Sequence, residues 1–212
     1  MKLKSVLVIT SAILLFSCNS EPKLAFKYAA EKNLFACPDV DMELIKEAVY
    51  AFEAFIFENY SFNAPDIEKA AYFNYLKNSE AKLLPMGEKF DDHIKNVFYA
   101  LKSEASLWSG SDDHKTLNLD HEIVKCISDH IAIEAVKPVF KTLVDSKTLR
   151  GEIFAPTLRS HFNRMKEDRA LATYVALDLF YAKIFQFDLS LTPTELAKQI
   201  REINDEHVGH QH

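Results

Sequence analysis

The sequence predicts an all-α protein, folded as a single irregular up-and-down bundle of about six to eight helices. Glycine, which commonly ends helices and opens turns, occurs only four times in 212 residues. Apolar residues recur at three- and four-residue spacing along most of the chain, which is the helical period. Hydrophobic residues make up 48% of the chain, which is enough for a core and argues against disorder.

The first predicted helix spans residues 41–60 and follows the start signal Pro38-Asp39. One face is apolar and contains Leu44, Phe52 and Ile56. The opposite face carries five charged residues, which are Glu43, Lys46, Glu47, Glu53 and Glu58. We expect this helix to cover the core with its apolar face and to expose its acidic residues to water.

Six further helices are predicted along the rest of the chain. In order, they span residues 65–77, 88–108, 119–143, 153–165, 168–187 and 194–204. Pro138 should kink or split the helix predicted at 119–143, and Pro156 should occupy the first turn of its own helix. Thr192 and Glu195 have the spacing of a capping box at the start of the last helix.

The helix predicted at 168–187 is apolar on almost every side, which indicates a central, buried position. It carries Asp178, whose carboxylate should therefore be shielded from water and need a partner. The candidate partners are Arg164, Arg169 and Lys183.

The first eighteen residues have the parts of an export signal. Lys2 and Lys4 precede an apolar run at 6–16, which is too short to span a bilayer as a helix of about 20 residues. The run ends in Leu15-Phe16-Ser17-Cys18, with a small residue before the cysteine. This pattern resembles the signal and lipobox of bacterial lipoproteins. The resemblance implies that residues 1–17 are removed and that Cys18 carries the lipid.

The resemblance also divides the chain and suggests a location. Residues 1–17 would be the signal, 18–23 the lipidated cysteine and a short tether, 24–204 the helical domain, and 205–212 a histidine-rich tail. The five tether residues after Cys18 reach less than about 20 Å, at about 3.5 Å each. Asn19, rather than aspartate, follows the cysteine, and by resemblance to enterobacterial lipoproteins this favours the outer membrane over the inner one.

Cys37 and Cys126 are the other two cysteines, and they form no CxxC pair. In an oxidising compartment they could form a disulfide. The alternative is a pair of free, buried thiols, and the sequence leaves both possibilities open.

Missing motifs argue against several classes of function. The chain contains no GxGxxG, GxxxxGK[ST], GxSxG or CxxCH motif. His121-Glu122 begins like a zinc-protease motif, but Lys125 stands in place of the second histidine. The formal charge of −6, without a cluster of Lys and Arg, argues against a nucleic-acid partner. We therefore assign no catalytic residue.

Two groups of residues could bind a divalent transition metal. The C-terminal tail contains His207, His210 and His212. His130 and Glu134 stand four residues apart in the helix predicted at 119–143, and Asp178 or Cys126 could complete their site. A His–Glu hydrogen bond within one helix is the simpler alternative.

These observations predict a lipid-anchored protein of the cell envelope, with a non-enzymatic helical module that binds a partner protein or a small ligand and uses no cofactor. The alternative is an envelope metal-binding protein that uses the histidine tail or a buried site at His130 and Glu134. A third possibility is an enzyme of an unrecognised helical family, which a deep pocket holding Asp178 or His130 would favour.

Overall fold

The computed structural model describes residues 24–111 and 114–209, with side chains up to residue 205, and this part has the predicted all-α fold. It contains eight helices and one two-stranded sheet. The residues predicted to form the signal, the lipidated Cys18 and the tether lie outside the described residues. Within the described ranges, no helix has both the length and the apolar character needed to cross a bilayer.

The first six helices are α1 (Met42–Asn59), α2 (Ile67–Glu80), α3 (Asp92–Ser103), α4 (Glu122–His130), α5 (Lys137–Asp145) and α6 (Gly151–Ser160). The central helix follows (169–184), and then the C-terminal helix (Pro193–Gly209). Between α3 and α4, β1 (Trp108–Ser109) pairs antiparallel with β2 (Thr116–Leu117). Single 3₁₀ turns occur at Gly87–Lys89, Ala105–Leu107 and Phe162–Arg164.

Side chains at the helix starts explain where several helices begin. Asp41, Asp66 and Asp91 each accept a hydrogen bond from the backbone N–H three residues further on. The capping box predicted at Thr192 and Glu195 is present, because each residue's side chain accepts a hydrogen bond from the other's backbone N–H.

The core lies around α1 and the central helix. α1 packs against α2, α3 and the central helix, while α2 also packs against α6. Phe52, Phe55, Tyr75 and Phe180 form an aromatic cluster at this centre, with ring centroids 5.2 Å apart in three of the pairs. Buried apolar residues from Leu34 to Ile200 belong to one continuous cluster. This cluster is a complete core, so a chain of residues 19–212 should fold on its own.

The prediction that α1 exposes its acidic residues is wrong for Glu47 and Glu53, which are both buried. Arg169 binds both carboxylate oxygens of Glu53, at 2.6 and 3.1 Å, and Tyr72 donates a hydrogen bond to the same group. Lys46 on the same face is also buried. These contacts join α1 to distant parts of the chain, and a local charge pattern carries no information about them.

An N-terminal segment (24–40) covers the part of this charged face around Lys46 and Glu47, while Glu43 and Glu58 are exposed as predicted. Glu47 accepts hydrogen bonds from the backbone N–H groups of Lys27 and Tyr28, at 2.6 and 2.9 Å. His93 Nε2 lies 2.8 Å from Oε1 of Glu47 but is not aligned for a hydrogen bond. Lys46 donates to the carbonyl of Ala29. The charged face of α1 thus holds a segment that has no helix of its own.

Other helix bounds differ from the predictions. The helix expected at 119–143 is divided before Pro138, because α4 ends at His130 and α5 begins at Lys137. Asp168 stabilises the intervening turn by accepting hydrogen bonds from the N–H groups of Ala132 and Ile133. Pro156 lies inside α6 rather than in its first turn. The C-terminal helix continues past residue 204 to Gly209.

Candidate functional site

A cleft of about 240 Å³ opens where the end of α2, the start of α6 and the last turns of the central helix meet. Its polar lining includes Lys82, Glu152, Lys183 and Gln186. This volume is below the roughly 300–1,000 Å³ typical of sites for drug-sized ligands, so the cleft suits a smaller molecule.

Lys82 reaches the cleft through the turn that ends α2. Its φ angle is +59°, a left-handed conformation that glycine adopts more easily than lysine. The turn is closed by hydrogen bonds from Lys82 N to Ser79 O and from Leu83 N to Asn78 O. The chain then reverses, so that Leu83 and the buried Leu84 follow Lys82 into the cleft wall.

The central helix contributes a π-helical segment, Val175–Tyr181, between the α-helical segments Arg169–Tyr174 and Ala182–Ile184. All seven residues of the π segment are buried. Tyr75 donates a hydrogen bond of 2.7 Å to the backbone carbonyl of Leu179 within this segment. Leu179 and, one turn later, Lys183 line the cleft. The π-helix is a rare form that occurs frequently at functional sites.

The N-terminus of α6 forms another wall, through Gly151 and Glu152. No side chain caps this helix end. The first backbone N–H groups of a helix have no acceptor within it, and they carry a partial positive charge. A Cβ atom at Gly151 would lie 2.5 Å from Cδ2 of Leu179, so a side chain at this position would displace the Leu179 methyl group that packs against α6.

The charged side chains of the cleft are not paired with one another, although the charge of Lys183 acts on the buried Asp178. Lys82 and Glu152 are exposed to water, and Lys183 is half-buried. Within residues 24–111 and 114–205, the side chains of Lys82, Glu152 and Lys183 make no hydrogen bond or ion pair. Two ammonium groups, one carboxylate and an uncapped helix N-terminus therefore surround a space with leucines in its wall. Such an arrangement can bind a small polar ligand with an apolar part.

Asp178 is buried as predicted, but it lies behind the cleft rather than in its lining. Its two carboxylate oxygens accept hydrogen bonds from Leu117 N and Tyr174 Oη, both at 2.8 Å. Of the three candidate partners, Arg164 and Arg169 make no hydrogen bond to this carboxylate, and Lys183 acts on it through its charge alone. Burial raises the pKa of Asp178 above its ordinary value, against the effects of the Leu117 hydrogen bond and the charge of Lys183. This carboxyl group attaches β2 to the π segment.

The structure does not support the metal site predicted at His130 and Glu134. α4 ends at His130, so Glu134 lies in the following turn and the two residues do not share a helix face. His130 instead bonds to the carbonyl of Cys126 and stacks on Phe35. In the described part of the chain, no three His, Cys, Asp or Glu residues are grouped so that they could hold a metal ion.

The structure tests the prediction for the cysteines but not the one for the tail histidines. The side chain of His207, and the whole of His210 and His212, lie outside what the structure describes, and metal binding by this tail stays a prediction. Cys37 and Cys126, which the sequence left either free or paired, form a disulfide. It joins the N-terminal segment to α4.

Sequence reasoning did not find the cleft. Lys82, Glu152 and Lys183 are separated by many residues and belong to different helices or turns. Each is an ordinary charged residue within its own stretch of sequence. Gly151 was the one available hint, since glycine is rare in this chain, but its position also suited a loop.

Comparisons with protein-family models, with curated proteins and with solved structures found no match to this chain. Its function must therefore be inferred from its own residues.

Proposed function

We propose that this chain is a lipid-anchored protein of the cell envelope and that it acts as a non-enzymatic binding module. Its ligand site would be the cleft formed by α2, α6 and the central helix. The anchor would be Cys18, in the outer membrane rather than the inner one. The protein would need no cofactor, and its formal charge of −6 makes nucleic acid an unsuitable partner.

The observation that carries this proposal is the cleft with its unpaired charges. Side chains that pair with each other within a protein contribute to its fold, whereas Lys82, Glu152 and Lys183 have no such pairing. Their charges remain available to a ligand. The buried carboxyl group nearest to the cleft, Asp178, already accepts two hydrogen bonds and is not among the lining residues. We therefore favour binding over catalysis.

The anchor hypothesis is supported by the sequence of the first eighteen residues and by the position of the N-terminal segment. Hydrogen bonds to Glu47 hold Lys27 and Tyr28 on α1, only a few residues after the tether. The domain would accordingly stay near the lipid surface, since the tether reaches less than about 20 Å.

Two measurements test this proposal. The first compares the wild-type chain with Cys18→Ala in its native host, and we expect the lipid mass and the membrane fractionation to be lost in the variant. The second records amide NMR spectra of residues 19–212 with a library of small neutral, cationic and anionic compounds. We expect the compounds that bind to shift the signals of Leu84, Gly151 and Leu179. A binding function at this cleft would be refuted by a library in which no compound shifts these signals, or by a compound that the protein converts.

A further inference from the structure

We infer that the cleft selects small aliphatic monocarboxylates. This inference rests on the binding function proposed above and adds the chemical class of the ligand. It follows from the positive groups at the cleft, its leucine wall and its net charge.

The positive groups come from three separate elements. Lys82 follows the end of α2, Lys183 follows the π segment, and the N-terminus of α6 begins at Gly151. Neither ammonium group has an acceptor among the described residues, so neither must leave a protein partner to bind an anion. Hydrogen bonds between an ammonium and a carboxylate are among the stronger ones in proteins. The helix N-terminus favours negative charge at the same place.

The apolar part of the lining distinguishes a carboxylate with a hydrocarbon chain from an inorganic anion. Leu83, Leu84 and Leu179 contribute to the wall. An inorganic phosphate ion is polar on every side and would leave these leucines without an apolar contact. Each methylene group placed against them leaves water for an apolar contact, which favours binding. A short aliphatic chain that ends in a carboxylate satisfies both kinds of lining.

Glu152 limits the charge that the ligand can carry. Its carboxylate lies in the same lining as Lys82 and Lys183, and it is not paired with either of them. His114, which also lines the cleft, is already engaged in an interaction within the protein. Lys82, Lys183 and Glu152 together carry a net charge of about +1 at neutral pH. One carboxylate neutralises this charge, while a second negative group would meet Glu152. Dicarboxylates and phosphate should therefore bind more weakly than a monocarboxylate of similar size.

The test titrates residues 19–212 with four probes, which are butanoate, succinate, inorganic phosphate and n-butylammonium, and follows the amide signals of Gly151 and Leu179 by NMR. We expect butanoate to bind most tightly and n-butylammonium not to bind. Lys183→Met should weaken butanoate binding about tenfold or more, because a charged hydrogen bond is lost. Lys141→Met, which changes an exposed lysine of α5, should leave the affinity unchanged.

Glu152→Gln is a variant that should strengthen anion binding, whereas Lys183→Met should weaken it. This exposed residue can be replaced without disturbing the core, and the change removes the negative charge from the lining. We expect the variant to bind succinate and phosphate several-fold more tightly, with a smaller gain for butanoate. Amide spectra without ligand would verify that each variant is folded.

Three results would overturn the inference. The first is phosphate binding as tightly as butanoate, the second is butanoate binding that Lys183→Met leaves unchanged, and the third is succinate binding that Glu152→Gln does not improve. If neutral or cationic compounds shift the cleft signals and carboxylates do not, the binding function stands and the ligand class is wrong. If no compound of any charge shifts them, the binding function fails as well.

Discussion

Buried carboxylates in this protein hold non-helical segments against helices. Glu47 binds the backbone of the N-terminal segment, Asp168 binds the turn between α4 and α5, and Asp178 binds β2. In each case a side-chain carboxyl group accepts hydrogen bonds from backbone N–H groups that lie outside any helix. Hydrogen bonds of this kind contribute about 1.5–3 kcal/mol when the acceptor is charged. Single residues therefore determine the paths of segments that have no regular structure of their own.

Asp178 allows this role to be tested through pH. Because burial raises its pKa in the folded state, the folded protein binds this proton more tightly than the unfolded chain does. Stability from this group should consequently increase as the pH falls from the raised pKa towards the ordinary value of 3.8, and should then level off. Asp178→Asn lacks this proton, so the stability of the wild type relative to the variant should increase on acidification. The gain is about 1.4 kcal/mol for each unit by which the pKa is raised.

The measurement is urea unfolding of both proteins at pH 7, 6, 5 and 4. Other titrating groups contribute equally to the two proteins, so the difference between their free energies of unfolding isolates Asp178. A difference that is the same at all four pH values would show that this carboxyl group has the same proton affinity in the folded and unfolded states.

At the scale of elements, apolar periodicity predicted most of the helices, because a core-facing stripe is a local property of the sequence. It also identified the central helix as buried. It failed where the outcome depends on distant residues. Glu53 is buried because Arg169 binds it from the central helix, and the break after His130 is held by Asp168. The π segment was missed as well, because the same apolar pattern suits an α-helix and a π-helix.

The π segment offers a second prediction. The backbone carbonyl of Leu179 in this segment accepts a hydrogen bond from the hydroxyl of Tyr75, and both residues are buried. Tyr75→Phe removes this buried hydrogen bond, which should lower the free energy of unfolding by about 0.5–1.5 kcal/mol. We also expect faster hydrogen exchange of the amides in residues 179–184. Tyr99→Phe is the matched control, because Tyr99 is exposed on α3 and should change neither quantity. Equal exchange in both variants would contradict a role for Tyr75 in holding the π segment.

At the scale of the whole molecule, the disulfide closes a large loop. Cys37 and Cys126 are separated by 89 residues, and the loop includes α1, α2 and α3. In the chain-entropy model, closing a loop of this size stabilises the folded state by about 4.5 kcal/mol. We expect the double variant Cys37→Ala/Cys126→Ala to lose most of this amount in guanidinium unfolding. The sequence could offer two cysteines but could not show that the fold brings them together.

Reductant supplies the control for this prediction. It should lower the stability of the wild type towards that of the double variant, and it should leave the variant unchanged. A wild type that is equally stable in oxidising and reducing conditions would contradict the predicted contribution of the disulfide.

The N-terminal segment has a further consequence for a chain that is anchored at Cys18. Tension between the membrane and the domain would enter at residue 24 and would first load the hydrogen bonds between Glu47 and the backbone of Lys27 and Tyr28. These hydrogen bonds would break one after another, and the disulfide at Cys37 would then prevent further unfolding of the segment. About 13 residues would be released before that stop, which lengthens the tether by about 45 Å at about 3.5 Å for each residue. The helices beyond Cys37 would remain folded. Under tension the tether would therefore lengthen by a fixed amount, and the folded domain would then bear the force.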